Sequence, residues 1–221
     1  MQRALANGWA VAGFVRNPAR VPEDLRARVT LHTGDLNDAA AVKAAVQAVR
    51  PSAIVDASSA LPFGHAKGQP ANNADRSVLL KATLEPLEAD GRTSDCVFII
   101  VGGQLLPEPG GSINSWGIAA LAWCLRLALG QAWRDLEAML VWLFQDANPA
   151  FRFVYCRMGY MVEEPARGVA LLPEATENNI QRGKASYCDV ADALVALAED
   201  EKRTWERKAL FFNYAAAAGD A

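Results

Sequence analysis

Short apolar runs, each closed by a polar or glycine-containing turn, alternate with helix-patterned segments along almost all of this 221-residue chain. Runs of four to seven apolar residues without polar alternation suit strands buried on both faces, as in a parallel sheet covered by helices. Residues 9–15 (WAVAGFV) end at Arg16-Asn17-Pro18, and residues 29–33 (VTLHT) end at Gly34-Asp35-Leu36-Asn37-Asp38. Residues 53–57 (AIVDA) lead into Ser58-Ser59-Ala60, residues 96–101 (CVFIIV) into Gly102-Gly103, and residues 151–156 (FRFVYC) into Arg157-Met158-Gly159. Between them lie helical patterns: the Ala-rich segment 39–49 capped by Asn37 or Asp38, residues 75–89 stopped near Gly91, and residues 118–144 broken near Gly130. Residues 189–200 predict a terminal helix, residues 162–184 are irregular and polar, and residues 209–214 (ALFFNY) predict a last edge strand. The order predicts an α/β fold: a doubly wound parallel sheet in three layers, with 11–15, 29–33, 53–57 and 97–101 as strands of one domain over residues 1–221.

Residues 3–8 read as the end of a helix stopped at Gly8, so the alternation is entered one strand late. In a doubly wound sheet the first strand sits at the centre, here between 11–15 and 53–57. Three arrangements are therefore expected: a gap at that place, direct pairing of those two strands, or a strand borrowed from elsewhere.

With 52% hydrophobic and 21% charged residues the chain has the composition of an ordinary globular protein. A formal net charge of -3 and unclustered basic residues leave no electrostatic basis for nucleic-acid binding. The cysteines (Cys96, Cys124, Cys156, Cys188) are widely spaced and the histidines are only His32 and His65. Free thiols in a reducing compartment are expected, and neither a metal nor a histidine-based nucleophilic relay. No basic-then-apolar leader opens the sequence, and Arg126, Arg134, Asp135 and Glu137 interrupt its most hydrophobic region. A cytoplasmic protein without a membrane span is the expectation.

Ligands of doubly wound sheets sit beyond the carboxyl ends of the strands, which directs attention to the residues closing each run. Arg16 follows the strand that contacts an adenosine ribose in such folds. A guanidinium there suits a 2′-phosphate, with Arg20 able to join it, whereas a solvated strand-end arginine is the plain reading. Asp35 and Leu36 could flank an adenine; Asp35 could equally cap the following helix. Ala57, Ser58 and Ser59, like Gly102 and Gly103, are small enough for a ligand to approach the backbone, and a plain turn explains them as well. The tryptophans at 116, 123, 133 and 142 read as packing or oligomer contacts rather than a substrate cage.

Taken in order, WAVAGFVRNP, GDLND, IVDASSA, CVFIIVGG, DLEAMLVW followed by FRFVYCRMG, and ASYCDVADALVALAED resemble the extended and atypical short-chain dehydrogenase/reductase superfamily. The similarity is to its NmrA-like members and to flavin or biliverdin reductases. It implies a Rossmann-like sheet and a nicotinamide dinucleotide, with Arg16 selecting NADP. It also implies Asp35 and Leu36 beside the adenine, Ala57 to Ala60 along the cofactor, and Met158-Gly159 near the nicotinamide. Two departures stand out. No G-x-G-x-x-G loop is present for the pyrophosphate. The superfamily's Tyr-x-x-x-Lys pair is also replaced: counting back from Glu137, Trp133 and Leu129 fall where lysine and tyrosine belong. Neither side chain can relay a proton. The resemblance with these departures leads to an NADPH-dependent reductase of a small acceptor such as a flavin or quinone, with residues 160–186 on the substrate side. Left open are a non-catalytic NADP-sensing protein and a truncated product that binds no dinucleotide.

Overall fold

The computed structural model describes residues 1–58, 76–103, 105–106, 109, 116–172 and 184–214. Its elements run α1 (Gln2–Ala6), β1 (Ala12–Val15), α2 (Glu23–Arg26), β2 (Thr30–Thr33), α3 (Ala39–Val49), β3 (Ala53–Asp56), α4 (Arg76–Ala89) and β4 (Val97–Gly103). Then follow α5 (Trp116–Leu129), α6 (Gln131–Val141), a π-helical turn (Trp142–Asp146), β5 (Arg152–Met158), β6 (Tyr160–Val162), β7 (Val169–Leu172), β8 (Lys184–Ser186), α7 (Tyr187–Ala198) and β9 (Lys208–Tyr214).

The main sheet has the order β3-β4-β5-β9-β7, parallel except for β7. Register is set by two buried faces. Phe98, Ile100, Phe153 and Tyr155 point to one side, under α4 and α6, while Val97, Ile99, Val154 and Cys156 point to the other, under α7. Every one of these eight side chains is 2% exposed or less, which explains why the runs carry no polar alternation.

β1 and β2 form a separate parallel pair, and no described strand lies between β1 and β3. Of the three arrangements expected at that place, the structure has the gap. The pair is held instead by side chains on one face: Phe14, Leu36 and Ala39 pack against Val42 of α3 and Leu79 and Ala82 of α4. Lys43 and Glu85 tie the same two helices together. Asp38 caps α3, its carboxylate accepting from the amides of Ala40 and Ala41 at 3.0 and 3.1 Å. α1 is pinned to α7 by Arg3–Asp192 at 3.0 Å, and the Trp9 indole donates to Glu199 at 2.8 Å.

Two expectations need correction. Residues 209–214 are no edge: β9 lies between β5 and β7, with Leu210, Phe211 and Phe212 at most 1% exposed. The edge is β7, inside the stretch read as irregular. β7 is antiparallel and pairs residue by residue with β9; its four apolar residues, VALL, are too short a run to stand out from the mostly polar stretch 162–168 before them.

Candidate dinucleotide site

β1 and β2 run parallel to each other, as do β3, β4 and β5, so within each sheet the carboxyl ends lie along one edge. The residues predicted there are brought together in part. Arg16 leaves the end of β1 and meets Asp35 beyond the end of β2, with Nε 3.6 Å from Oδ2. The other carboxylate oxygen of Asp35 accepts from the backbone amide and the side-chain amide of Asn37, both at 2.9 Å. The Asn37 amide, with lesser help from the Arg16 charge, holds the Asp35 carboxyl below the ordinary aspartate range. Asp35 thus does not cap α3, which is the work of Asp38; it anchors a half-exposed guanidinium at the strand tips. A Cβ on Gly34 would lie 2.5 Å from Cζ of Phe14, so the glycine lets the turn before Asp35 pack closely against that ring.

Arg20 is exposed at the end of the short 3-10 turn Pro18–Arg20 that Asn17 caps. Leu36 is half-buried and leans on the Val42, Leu79 and Ala82 cluster, so part of its surface serves the core. Ala57 is exposed just past β3, and Ser58 is fixed by Asp56, whose Oδ1 accepts from the Ser58 amide at 2.9 Å and its hydroxyl at 2.6 Å. Asp56, the last residue of β3 and only 8% exposed, is a polar group that the sequence reading leaves without a role; an acidic residue in an otherwise apolar run is its signal. Ser59 and Ala60 lie outside the described residues.

The end of β4 is asymmetric. A Cβ on Gly102 would fall 2.1 Å from the Tyr155 hydroxyl oxygen, whereas one on Gly103 would meet nothing within 4 Å. Gly102 therefore serves packing and Gly103 borders open space. Met158 is 7% exposed and belongs to the core beneath α7; Gly159 is half-buried. Arg157 is buried with its guanidinium 4.9 Å from the centre of the Phe211 ring.

The positions expected to hold a proton-relaying pair are occupied by structure. Trp133 is 5% exposed, its indole N–H donates to Glu137 at 2.8 Å, and Leu129 packs toward the same core. Of the tyrosines that could take over the role, Tyr155 is fully buried in the core, while Tyr160 is exposed at the start of β6. A further polar group was missed in sequence. Glu164 accepts from Lys184, from Arg167 at 2.9 Å and from the Tyr214 hydroxyl at 3.4 Å, close to the carboxyl end of β9. Hydrogen bonding from Lys184 holds Glu164 below its ordinary range, and burial, reinforced by Glu164, raises Tyr214.

The described residues fit the adenosine half of a dinucleotide. They offer a preset cation at the strand tips, small residues after β3 and open space at Gly103, and they include no glycine-rich turn for the pyrophosphate. No three His, Cys, Asp or Glu side chains gather as a metal site among them, and none of the described helices is long and apolar enough to cross a membrane.

A family model described as NAD(P)H-binding matches residues 1–201. No protein of curated function matches the sequence. Among solved structures, the fold is similar to ChuY, an anaerobillin reductase from Escherichia coli O157:H7, with TM-score 0.64 and 18% identity over 98% of this chain and 90% of that one. It is also similar to the oxidoreductase ylbE from Lactococcus lactis, with TM-score 0.65 and 15% identity over 97% and 84% of the two chains. A third is a Streptococcus pneumoniae protein provisionally assigned as an NADH-flavin reductase, with TM-score 0.60 and 16% identity over 97% and 91%. At these identities the likeness is one of fold.

Proposed function

The chain belongs to the NAD(P)H-binding family, and from that premise we propose that it binds NADPH in preference to NADH and reduces a small conjugated acceptor such as a flavin or quinone. The observation that carries the reading is the pairing of two features. Arg16 is held by Asp35 at the tips of β1 and β2, and the residues standing in for a Tyr/Lys pair are the buried Trp133 and the partly buried Leu129.

Bound NADPH supplies a hydride. Arg16 offers a bidentate, permanently charged partner for the extra phosphate, and the carboxylate behind it keeps that fork in place. Asp56 fixes the turn at Ser58, so Ala57 and Ser58 present backbone and small side chains to a ligand. Gly103 leaves room for a flat ring over the end of β4.

Reduction of a simple carbonyl needs a proton delivered to the developing alkoxide, a contribution worth ~10²–10⁴ in rate that Leu129 and Trp133 cannot make. A flavin or quinone spreads the incoming electron pair over its ring and takes its proton from water, so positioning suffices. The substrate would lie beyond Gly103 near Gly159, bordered by residues 160–172 and 184–186, whose Glu164, Arg167 and Lys184 cluster with Tyr214 of β9. The names of two proteins similar in fold, an anaerobillin reductase and an NADH-flavin reductase, are in keeping with an extended conjugated acceptor.

The test is NADPH consumption against a panel of flavins, quinones, aldehydes and nucleotide sugars. Turnover confined to flavins or quinones is expected. Robust turnover of an alcohol or sugar nucleotide, lost in Tyr160→Phe or Tyr214→Phe, would overturn the reading. Tight NADPH binding without turnover of any acceptor would assign the protein a cofactor-sensing role, which the same lack of a proton donor also suits.

A further inference from the structure

We propose that the outer face of α5 is the contact surface of a symmetric dimer, in which two copies of this helix lie antiparallel. The helix, WGIAALAWCLRLAL, carries one charged residue, Arg126, which is paired with Glu137 at 3.3 Å. A helix that is apolar all round belongs in an interior, and a single chain covers only one side of this one.

At 3.6 residues per turn, Ile118, Ala122, Leu125 and Leu129 fall on one face, and those are the residues that turn inward: Ile118 is 6% exposed and the other three pack against the main core. Trp116, Ala120, Trp123 and Leu127 fall on the opposite face within an arc of roughly 60°. Of these, Trp116 is 88% exposed, Trp123 62% and Leu127 63%. Tryptophan side chains bury about 150–250 Å² each, so with Leu121 at 51% this face leaves on the order of 500 Å² of apolar side chain open per copy. A symmetric pair would cover roughly 1,000 Å², the lower bound of a specific interface.

The spacing of the outer stripe points to a second copy as the occupant. About a two-fold axis between Leu121 and Ala122, the antiparallel stripe is its own complement. Trp123 of each copy lies over Ala120 of the other, and Trp116 over Leu127. Each large side chain meets a smaller one, the arrangement close helix packing requires. A membrane surface is a poorer match, since interfacial helices carry a strongly basic polar face and α5 has none.

Sedimentation velocity across a range of concentrations tests this on the full chain. The expected result is a reversible dimer whose dissociation constant rises at least ~30-fold in Trp123→Ala, the loss typical of a central aromatic anchor. Ala120 is exposed in the monomer, so Ala120→Trp leaves the fold intact by circular dichroism and abolishes dimerisation through a clash with Trp123 of the second copy. Exchanging large and small, as in A120W/W123A, restores it. A wild type monomeric at all concentrations, or a dimer indifferent to Ala120→Trp and Trp123→Ala, would overturn the proposal. So would cosedimentation of the monomer with phosphatidylcholine/phosphatidylglycerol vesicles that Trp123→Ala removes, which would assign the face to lipid.

Discussion

Arg16 shows how much a single strand-end residue can decide. Its guanidinium is presented by Asp35, and Asp35 is itself oriented by two donors from Asn37, so little ordering remains to be done when an anion arrives. Charge-assisted contacts of this kind are worth about 1.5–3 kcal/mol. Arg16→Ala should accordingly weaken NADPH by about tenfold or more in calorimetric titration and leave NADH unchanged; equal weakening of both would remove Arg16 from the phosphate-binding role. The two glycines ending β4 make a second residue-scale contrast. Gly102→Ala must push a methyl into the fully buried Tyr155 ring, with no room on either side, and overpacking of this kind costs roughly 1–3 kcal/mol. That corresponds to a drop of several degrees in melting temperature for a chain of this size. Gly103→Ala meets nothing and should leave the melting temperature within about a degree while reducing dinucleotide or acceptor affinity. Similar stability losses in both variants would contradict this division of labour.

At the scale of elements, Asp189 joins parts that are distant in sequence. It sits in the first turn of α7, 4% exposed, and accepts from the Ser186 hydroxyl at 2.7 Å and from the backbone amides of Arg167 and Gly168 at 3.0 and 2.9 Å. One carboxylate therefore ties the approach to β7 to the β8–α7 junction. Burial raises its pKa, but the hydrogen bonds from Ser186, Arg167 and Gly168 outweigh it, and the net shift is downward from 3.8. A carboxyl with a depressed folded-state pKa contributes stability at neutral pH, and that contribution fades as pH falls below 3.8 through the folded value. Asp189→Ala strands buried donors and should cost about 2–4 kcal/mol at pH 7. Denaturant titrations should show the gap between wild type and Asp189→Asn narrowing below pH 4; a gap independent of pH would mean that the charge is not what matters. This clamp was beyond sequence reading because its partners are backbone amides about twenty residues away. The strands were legible for the opposite reason. Ile99, Val154 and their neighbours are covered on both faces, so burial writes itself into an unbroken apolar run. β7 (VALL) left only a four-residue apolar run inside a polar stretch, and the Glu164, Lys184 and Tyr214 cluster left none, since a surface ion network accepts almost any polar sequence. The strand-end charges Arg16 and Asp35 could be singled out from sequence, and the structure joins them in an ion pair that the sequence alone did not show. The packing of Gly102, Met158 and Leu36 against the core was not legible, because small or apolar residues at strand ends suit packing and ligand contact equally well.

The molecule as a whole is built of unequal parts. β4, β5 and β9 are interior strands with hydrogen-bonded neighbours on both sides and helices on both faces. β1 and β2 are a two-stranded ribbon that bonds to no other described strand; an apolar contact with α3 and α4 holds it, and the segment leading into β1 is tied to α7 by Arg3–Asp192 and Trp9–Glu199. A ribbon of two strands is marginal by itself, so its persistence depends on those contacts and on the ion pair between α3 and α4. The proposed cation for the cofactor stands at the tip of this weaker part, and the small residues and open space beyond β3 and β4 stand on the stronger one. Dinucleotide binding must therefore span the gap in the sheet and couple the two parts, adding its own affinity to the stability of the ribbon. Hydrogen exchange read by mass spectrometry should show the amides of Ala12–Val15 and Thr30–Thr33 exchanging through local opening well before those of Val97–Val101 and Phe153–Cys156. Saturating NADPH should slow the ribbon selectively, and Arg16→Ala should abolish that slowing without altering the interior strands. Uniform exchange across both parts in the free protein would show that the ribbon and the main sheet open as a single unit, and that the gap carries no energetic consequence.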